Sequence, residues 1–330
     1  MFFGNIRTKL SEGSILSASI TLKDNNGKRK ISKGTKIDQN IKNLLLSNNI
    51  SSLFCANLDK DDIDENTSAH LIASALINKN KDNLSLSLAM HGRCNILSEI
   101  DGLLQYKPNQ LCKINGISEE VGVGAKNPFT IVKKKQVVAT IKIIPFAVNK
   151  KLVDKIKKIS KQCFEVLPFL KMNIHLIQTQ NEGTLEKVLN KTRIVTQKRL
   201  EKLGNSYFEE QVCNHDIKSL SQSIKKSLKT NADIILIFGA SAISDRNDIV
   251  PIALLKNKGE IIRLGMPVEP GNLMLLGKIE KSNKTIFLIG MPSCARTEKE
   301  NGVDWILWRL FSGLNVSNED INQMGAGGLL

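Results

Sequence analysis

Apolar positions fall into two regimes along the chain. From residue 1 to about 148, short and mixed patterns dominate. Ile41, Leu44 and Leu45 recur at helical spacing within Asp38–Leu46, and Ala69, Ile72, Ala73 and Leu76 do so behind caps at Asn66 or Thr67. Leu84, Leu86, Leu88 and Met90 alternate as a half-buried strand does, and Val137–Ile144 is β-branched and stops at Pro145. Ile96, Leu97, Ile100 and Leu104 suggest another helix, and Gly122-Val123-Gly124-Ala125 reads as a turn. This stretch predicts an N-terminal α+β domain over 1–148.

Between 149 and 171, Leu152, Val153, Ile156 and Ile159 form one apolar stripe opposite lysines, as expected of a helix joining two domains. From Met172 the pattern alternates between strand and helix. Strands are expected at Ile174–Gln178, Tyr207–Val212, Asp233–Phe238, Glu260–Leu264, Leu273–Leu276 and Thr285–Ile289. Helices are expected at Thr192–Leu203, after Asp216, at Pro251–Asn257 and between Asn301 and Gly313. Such alternation implies a three-layer α/β/α domain over 172–316 with a mainly parallel sheet. Ligands on such sheets bind at the carboxyl ends of the strands. Residues 317–330 read as a glycine-rich tail.

Composition narrows the function classes. The chain has 330 residues, enough for about two domains. Its apolar runs fall far short of the ~20 residues that span a bilayer, and Met1–Arg7 shows no signal-peptide hydrophobic region, so a cytoplasmic protein is expected. The six cysteines form no C-x-x-C pair and the four histidines lie far apart, which argues against a zinc site. The net charge of +15 is spread over the whole chain, as at Lys133–Lys135, Lys157/Lys158 and Lys225/Lys226. With two tryptophans and two tyrosines for stacking, a solvated basic surface that attracts small phosphorylated ligands is favoured over nucleic acid.

Candidate chemistry sits in three loops after strands. In the first, Gly239, Ala240, Ser241 and Ser244 bring small residues and hydroxyls to a strand end before a helix start, a setting for an anion. Asp245 and Asp248 add carboxylates that, together with a phosphate, would hold Mg2+. The alternative for Asp248 is a plain helix cap. The second loop holds Pro270, Gly271 and Asn272, stiffened by proline. The third holds Pro292, Ser293, Cys294 and Arg296, of which Arg296 suits an anion and Cys294 reads as packing. Thr179, Lys191, Thr192 and Arg193 are weaker candidates.

At these loops the chain resembles the molybdopterin-binding fold family, which includes molybdopterin molybdotransferases and Mog-like adenylyltransferases. Gly239–Asp248 followed by Pro251 resembles its glycine-rich loop, Pro270-Gly271-Asn272 its Pro-Gly-Lys loop, and Gly290-Met291-Pro292-Ser293 its Leu-Pro-Gly-Asn loop. Within the family the likeness is greatest to a subgroup whose module precedes a cytidylyltransferase-type domain. It rests on Phe238–Ile243, Gly265–Gly277, Cys294-Ala295-Arg296, Asn301–Trp305, Lys33-Gly34-Thr35 and Val137–Phe146.

The resemblance implies binding of a phosphorylated pterin in molybdenum cofactor biosynthesis, with Mg2+ near Asp248 and molybdate or a nucleotide as second substrate. Asp245 and Asp248 would be the catalytic pair. It also implies a cytidylyltransferase protein as partner and homo-oligomers with sites near subunit boundaries. Ala240, Asn272 and Ser293-Cys294 stand where the family has glycine, lysine and Gly-Asn, which counts against molybdate insertion and leaves pterin-phosphate binding untouched. Two other readings follow from the same residues: a non-catalytic carrier that hands the pterin to a separate nucleotidyltransferase, and a nucleotide pyrophosphatase on the same fold.

Overall fold

A computed structural model describes residues 1–24, 27–78, 81–160 and 162–330. The chain divides into two compact units, Met1–Leu167 and Pro168–Leu330.

In the first unit, the strands Val121–Ala125, Val137–Ile143, Arg93–Ser98 and Leu84–Leu86 lie in that order in an antiparallel sheet. The helices Glu65–Leu76 and Lys150–Ile159 bury Ile72, Leu76, Val153 and Ile156 in the core beneath it. The amphipathic stripe expected of a linker over 149–171 is therefore part of this core; Lys161, within that stretch, lies outside the described residues. A second, smaller core of Leu16, Leu22, Ile31, Ile37 and Leu45 gathers near the N-terminus.

The structure differs from the sequence pattern at three further places in this unit. Ile96–Leu104 forms two strands, Arg93–Ser98 and Gly102–Gln105, instead of a helix. Cys94, Ile96 and Ser98 are buried while their neighbours are not, so period two overrides the helical spacing. Gly122–Ala125 is strand instead of turn, because Val121 and Val123 face the core and the glycines face out. Glu65–Leu76 is capped by Asp64 instead of Asn66 or Thr67, the Asp64 carboxylate accepting the Asn66 and Thr67 N–H groups.

Among the described residues of the second unit, one sheet has six strands in the order Glu209–Asn214, Ile174–Gln180, Ile234–Phe238, Lys284–Met291, Leu275–Lys281, Glu260–Leu264. The first four run parallel and the last two pairings are antiparallel, so the sheet is mixed where a mainly parallel one was expected. The reason is local: Leu275–Lys281 and Lys284–Met291 join through Ser282 and Asn283, both at positive φ, and so short a connection closes only an antiparallel pair.

Ile234–Phe238 is buried throughout, as its unbroken apolar run requires. Helices Glu186–Glu201, Ile217–Lys229, Ile249–Lys256 and Gly302–Phe311 belong to the same unit. Its buried core includes Leu220, Ile224, Ile235, Ile237 and Leu254. The expected tail is ordered: Asn318–Gln323 is helical, Ile321 is buried, and Leu329 bridges Glu269. No helix among the described residues is long and apolar enough to cross a membrane.

Candidate functional site

Strand order sets the place. The chain leaves Ile174–Gln180 for the strand on one side and later returns to Ile234–Phe238 on the other. Connections therefore diverge between these two neighbours, and their carboxyl ends frame a crevice of the type that binds ligands in open α/β sheets. Register brings the ends level: Phe238 pairs with both Gln178 and Met291, and Gln180 pairs with Asn214. Thr179, His215, the loop from Gly239 and the loop from Pro292 therefore emerge side by side.

Ile243 anchors the first loop. It is buried against Gly290, where any Cβ would collide with it. Gly239 is required by the turn itself: a Cβ there would lie 2.6 Å from the Ser241 carbonyl oxygen and 3.6 Å from His215 Cε1.

Hydrogen bonds link these side chains. The Ala240 N–H donates to Thr179 Oγ1 at 2.9 Å, Thr179 Oγ1 lies 2.7 Å from His215 Nδ1, and His215 Nε2 lies 2.8 Å from Ser241 Oγ. Thr179 is 1% exposed, whereas Ser241 faces solvent. Burial lowers the His215 pKa from its ordinary value, opposed by the charges of Asp248 and Asp216, so the ring is neutral near pH 7. A polar pocket of about 370 Å3 opens beside it, lined by Gln180, Asn181, Glu182, Asn214, His215 and Asp216. A wider concavity of about 500 Å3 lies along Val121–Val123 in the first unit, but of the expected site loops it holds none, and we place the site at the crevice.

Arg296 joins the third loop to the first. Its Nη2 donates to the Gly239 carbonyl at 3.1 Å, its Nε donates to Thr192 Oγ1 at 3.1 Å, and its guanidinium sits over the Phe238 ring at 4.9 Å. Burial lowers its pKa, but an arginine remains charged at neutral pH. Among the described residues no hydrogen bond uses Nη1, which leaves donors for an anion.

Beneath this turn, Arg199 pairs with Asp304 in a buried salt bridge, and its Nη2 donates to the Thr297 carbonyl at 2.8 Å and the Ala295 carbonyl at 3.3 Å. Asp304 also closes a capping box with Asn301 at the start of Gly302–Phe311. Burial raises the Cys294 pKa, as fits a packing thiol.

The remaining candidates occupy other positions. Asp248 caps Ile249–Lys256 through Ile249 N–H at 2.7 Å, and its second oxygen accepts the Ser244 N–H at 3.3 Å. Asp245 accepts the Asn247 N–H at 2.7 Å. Among the described residues no group of three or more His, Cys, Asp or Glu is placed to hold a metal ion. The second loop turns toward the helix start: Pro270 accepts the Gly302 N–H at 2.9 Å, a Cβ on Gly271 would lie 2.7 Å from that nitrogen, and Asn272 accepts the Met266 N–H at 3.0 Å. With Glu269, Asn272 lines a shallow pocket of about 330 Å3 that also involves Gly328 and Leu329. Ser293 is exposed and Pro292 buried. The structure thus bonds the first and third loops together and bonds the second to Gly302.

No family model matches the chain and no curated protein matches it. Among solved structures it is similar to a molybdenum cofactor biosynthesis protein from Corynebacterium diphtheriae, at 15% identity over 44% of this chain and 100% of the other, with a TM-score of 0.31. It is also similar to the tungsten cofactor synthesizing protein MoaB from Pyrococcus furiosus, at 13% identity over 42% and 89%, TM-score 0.29. A third likeness is to the molybdopterin biosynthesis MoeA protein from Pyrococcus horikosii, at 12% identity over 87% and 69%, TM-score 0.25. Likeness at this level assigns no activity.

Proposed function

We propose that the second unit binds a phosphorylated pterin, molybdopterin or its adenylylated form, in molybdenum cofactor biosynthesis. One observation carries the reading. At the crevice between Ile174–Gln180 and Ile234–Phe238, His215 holds the hydroxyl of Ser241 and the guanidinium of Arg296 holds the Gly239 carbonyl of the same loop, beside a polar pocket large enough for a ring system. The loop resemblance supports the pterin. Ser241 and Arg296 Nη1 would donate to the phosphate, and Phe238 holds the guanidinium in place.

Asp245 and Asp248 supply two carboxylates and no third side chain, so Mg2+ would enter only with phosphate oxygens and water completing its shell. Asp248 is occupied as a cap and as a brace for Ser244, an arrangement that favours a carrier over a transferase acting on molybdate or a nucleotide. A cytidylyltransferase protein would then be the acceptor of the pterin. Calorimetric titration of the intact protein with molybdopterin and with its adenylylated form tests the binding. Silence from both ligands, each shown to be competent on a control protein, rejects it. Asp248→Asn then separates the roles: a carrier retains cofactor assembly in a reconstituted pathway, whereas an enzyme loses turnover.

A further inference from the structure

Thr179, His215 and Ser241 have the outline of a serine, a base and an orienting group, yet the buried member of the set decides how their protons run. Thr179 Oγ1 already accepts from the Ala240 N–H, and its own hydrogen must go to an acceptor because the residue is 1% exposed. Among the described residues the acceptor within reach is His215 Nδ1 at 2.7 Å. A neutral imidazole that accepts at Nδ1 carries its proton on Nε2 and donates it to Ser241 Oγ at 2.8 Å. The reverse direction would strand the Thr179 hydrogen in the interior, a cost that disfavours it by about tenfold or more.

We propose that Thr179 and His215 are positioning residues that fix a one-way chain of hydrogen bonds ending at Ser241, so that the serine proton is presented outward to an anionic oxygen instead of being withdrawn by the imidazole. The site then selects an acceptor, such as a phosphate oxygen, and does not attack it. That last step rests on the phosphate-binding reading above; the direction of the chain does not.

The charges facing the ring are Asp216 beside it and Asp248 from the neighbouring loop, with Glu182 lining the same pocket. Asp248 and Asp216 favour protonation, while burial opposes it more strongly.

Nitrogen-15 spectra of the intact protein with labelled histidine, assigned through loss of the signal in His215→Gln, read the direction. The expected result near pH 7.5 is a neutral His215 protonated at Nε2; protonation at Nδ1 overturns the proposal. A fluorophosphonate probe should leave Ser241 unlabelled, and stoichiometric labelling there also overturns it. Inorganic phosphate serves as the ligand probe. Thr179→Val should weaken its binding at least fivefold and Thr179→Ser should restore it; equal binding by Thr179→Val refutes the link to the ligand. Should the wild type bind no phosphate while His215 carries its proton on Nε2, the ligand reading falls and the direction of the chain stands.

Discussion

Arg296 uses two donors on its own protein, at Gly239 and Thr192, and among the described residues none of its hydrogen bonds uses Nη1. A lysine offers a point charge on a flexible stem and cannot make both bonds while lying flat on Phe238. Arg296→Lys is therefore expected to weaken binding of a phosphorylated ligand by about tenfold or more, read by calorimetry. At Asp248 the expectation concerns stability. Asp248→Ala should cost about 1 kcal/mol through the lost cap, and Asp248→Asn much less, as urea midpoints would show. Equal losses from the two would mean that the charge, and not the cap, matters.

Gly239 and Ser241 are legible as candidates because small and hydroxyl residues follow one apolar run, and Arg296 because a cation follows another; that the two loops meet is not legible. Nor is His215, since its partners lie 36 and 26 residues away. The signal available was a histidine directly after a strand and before the Asp216 cap, which accepts the Ser219 N–H at 2.8 Å.

The helix Glu186–Glu201 runs beneath the site and contributes Thr192 to Arg296 and Arg199 to Asp304. Both members of the Arg199–Asp304 pair have side chains 7% exposed, so removing one partner leaves a charge in the interior. Arg199→Met should destabilise the fold by about 3–5 kcal/mol, and adding Asp304→Leu should recover part of that loss. Denaturation of the two singles and the double would show it; additive losses would argue against a coupled pair. The pair was hidden from sequence reading because its partners are 105 residues apart. The strand–helix alternation of this unit was readable from its periodicity. At Ile96–Leu104 apolar residues at helical spacing also satisfy period two, and Gly102 opens the second strand. Its Cβ would run into the Leu167 carbonyl, which a helix reading does not anticipate.

For the whole molecule, acid sensitivity follows from two histidines. Burial lowers the pKa of both His175 and His215, against the opposing charge of Glu209 at His175, and among the described residues His175 Nδ1 has no hydrogen-bond partner. A histidine whose pKa is lower in the fold binds its proton more readily in the unfolded chain. Stability is thus full above the unfolded value, about 6.5, and falls as the pH drops below it toward the folded values. Urea midpoints from pH 8 to 5 should show that decline, reduced in His175→Gln; a flat profile would contradict it. The order of the sheet was beyond sequence reading, because the same alternation of strands and helices allows several orders and the reversal at Ser282–Asn283 looks like any short turn. That order also has a practical meaning for protein engineering. The crevice draws on segments near residues 179, 215, 240 and 296, so no contiguous peptide reproduces it. A gene truncated before Arg296 would encode the imidazole and both hydroxyls yet lose the guanidinium that holds the Gly239 carbonyl, and grafting the site onto another scaffold would require all four segments at once.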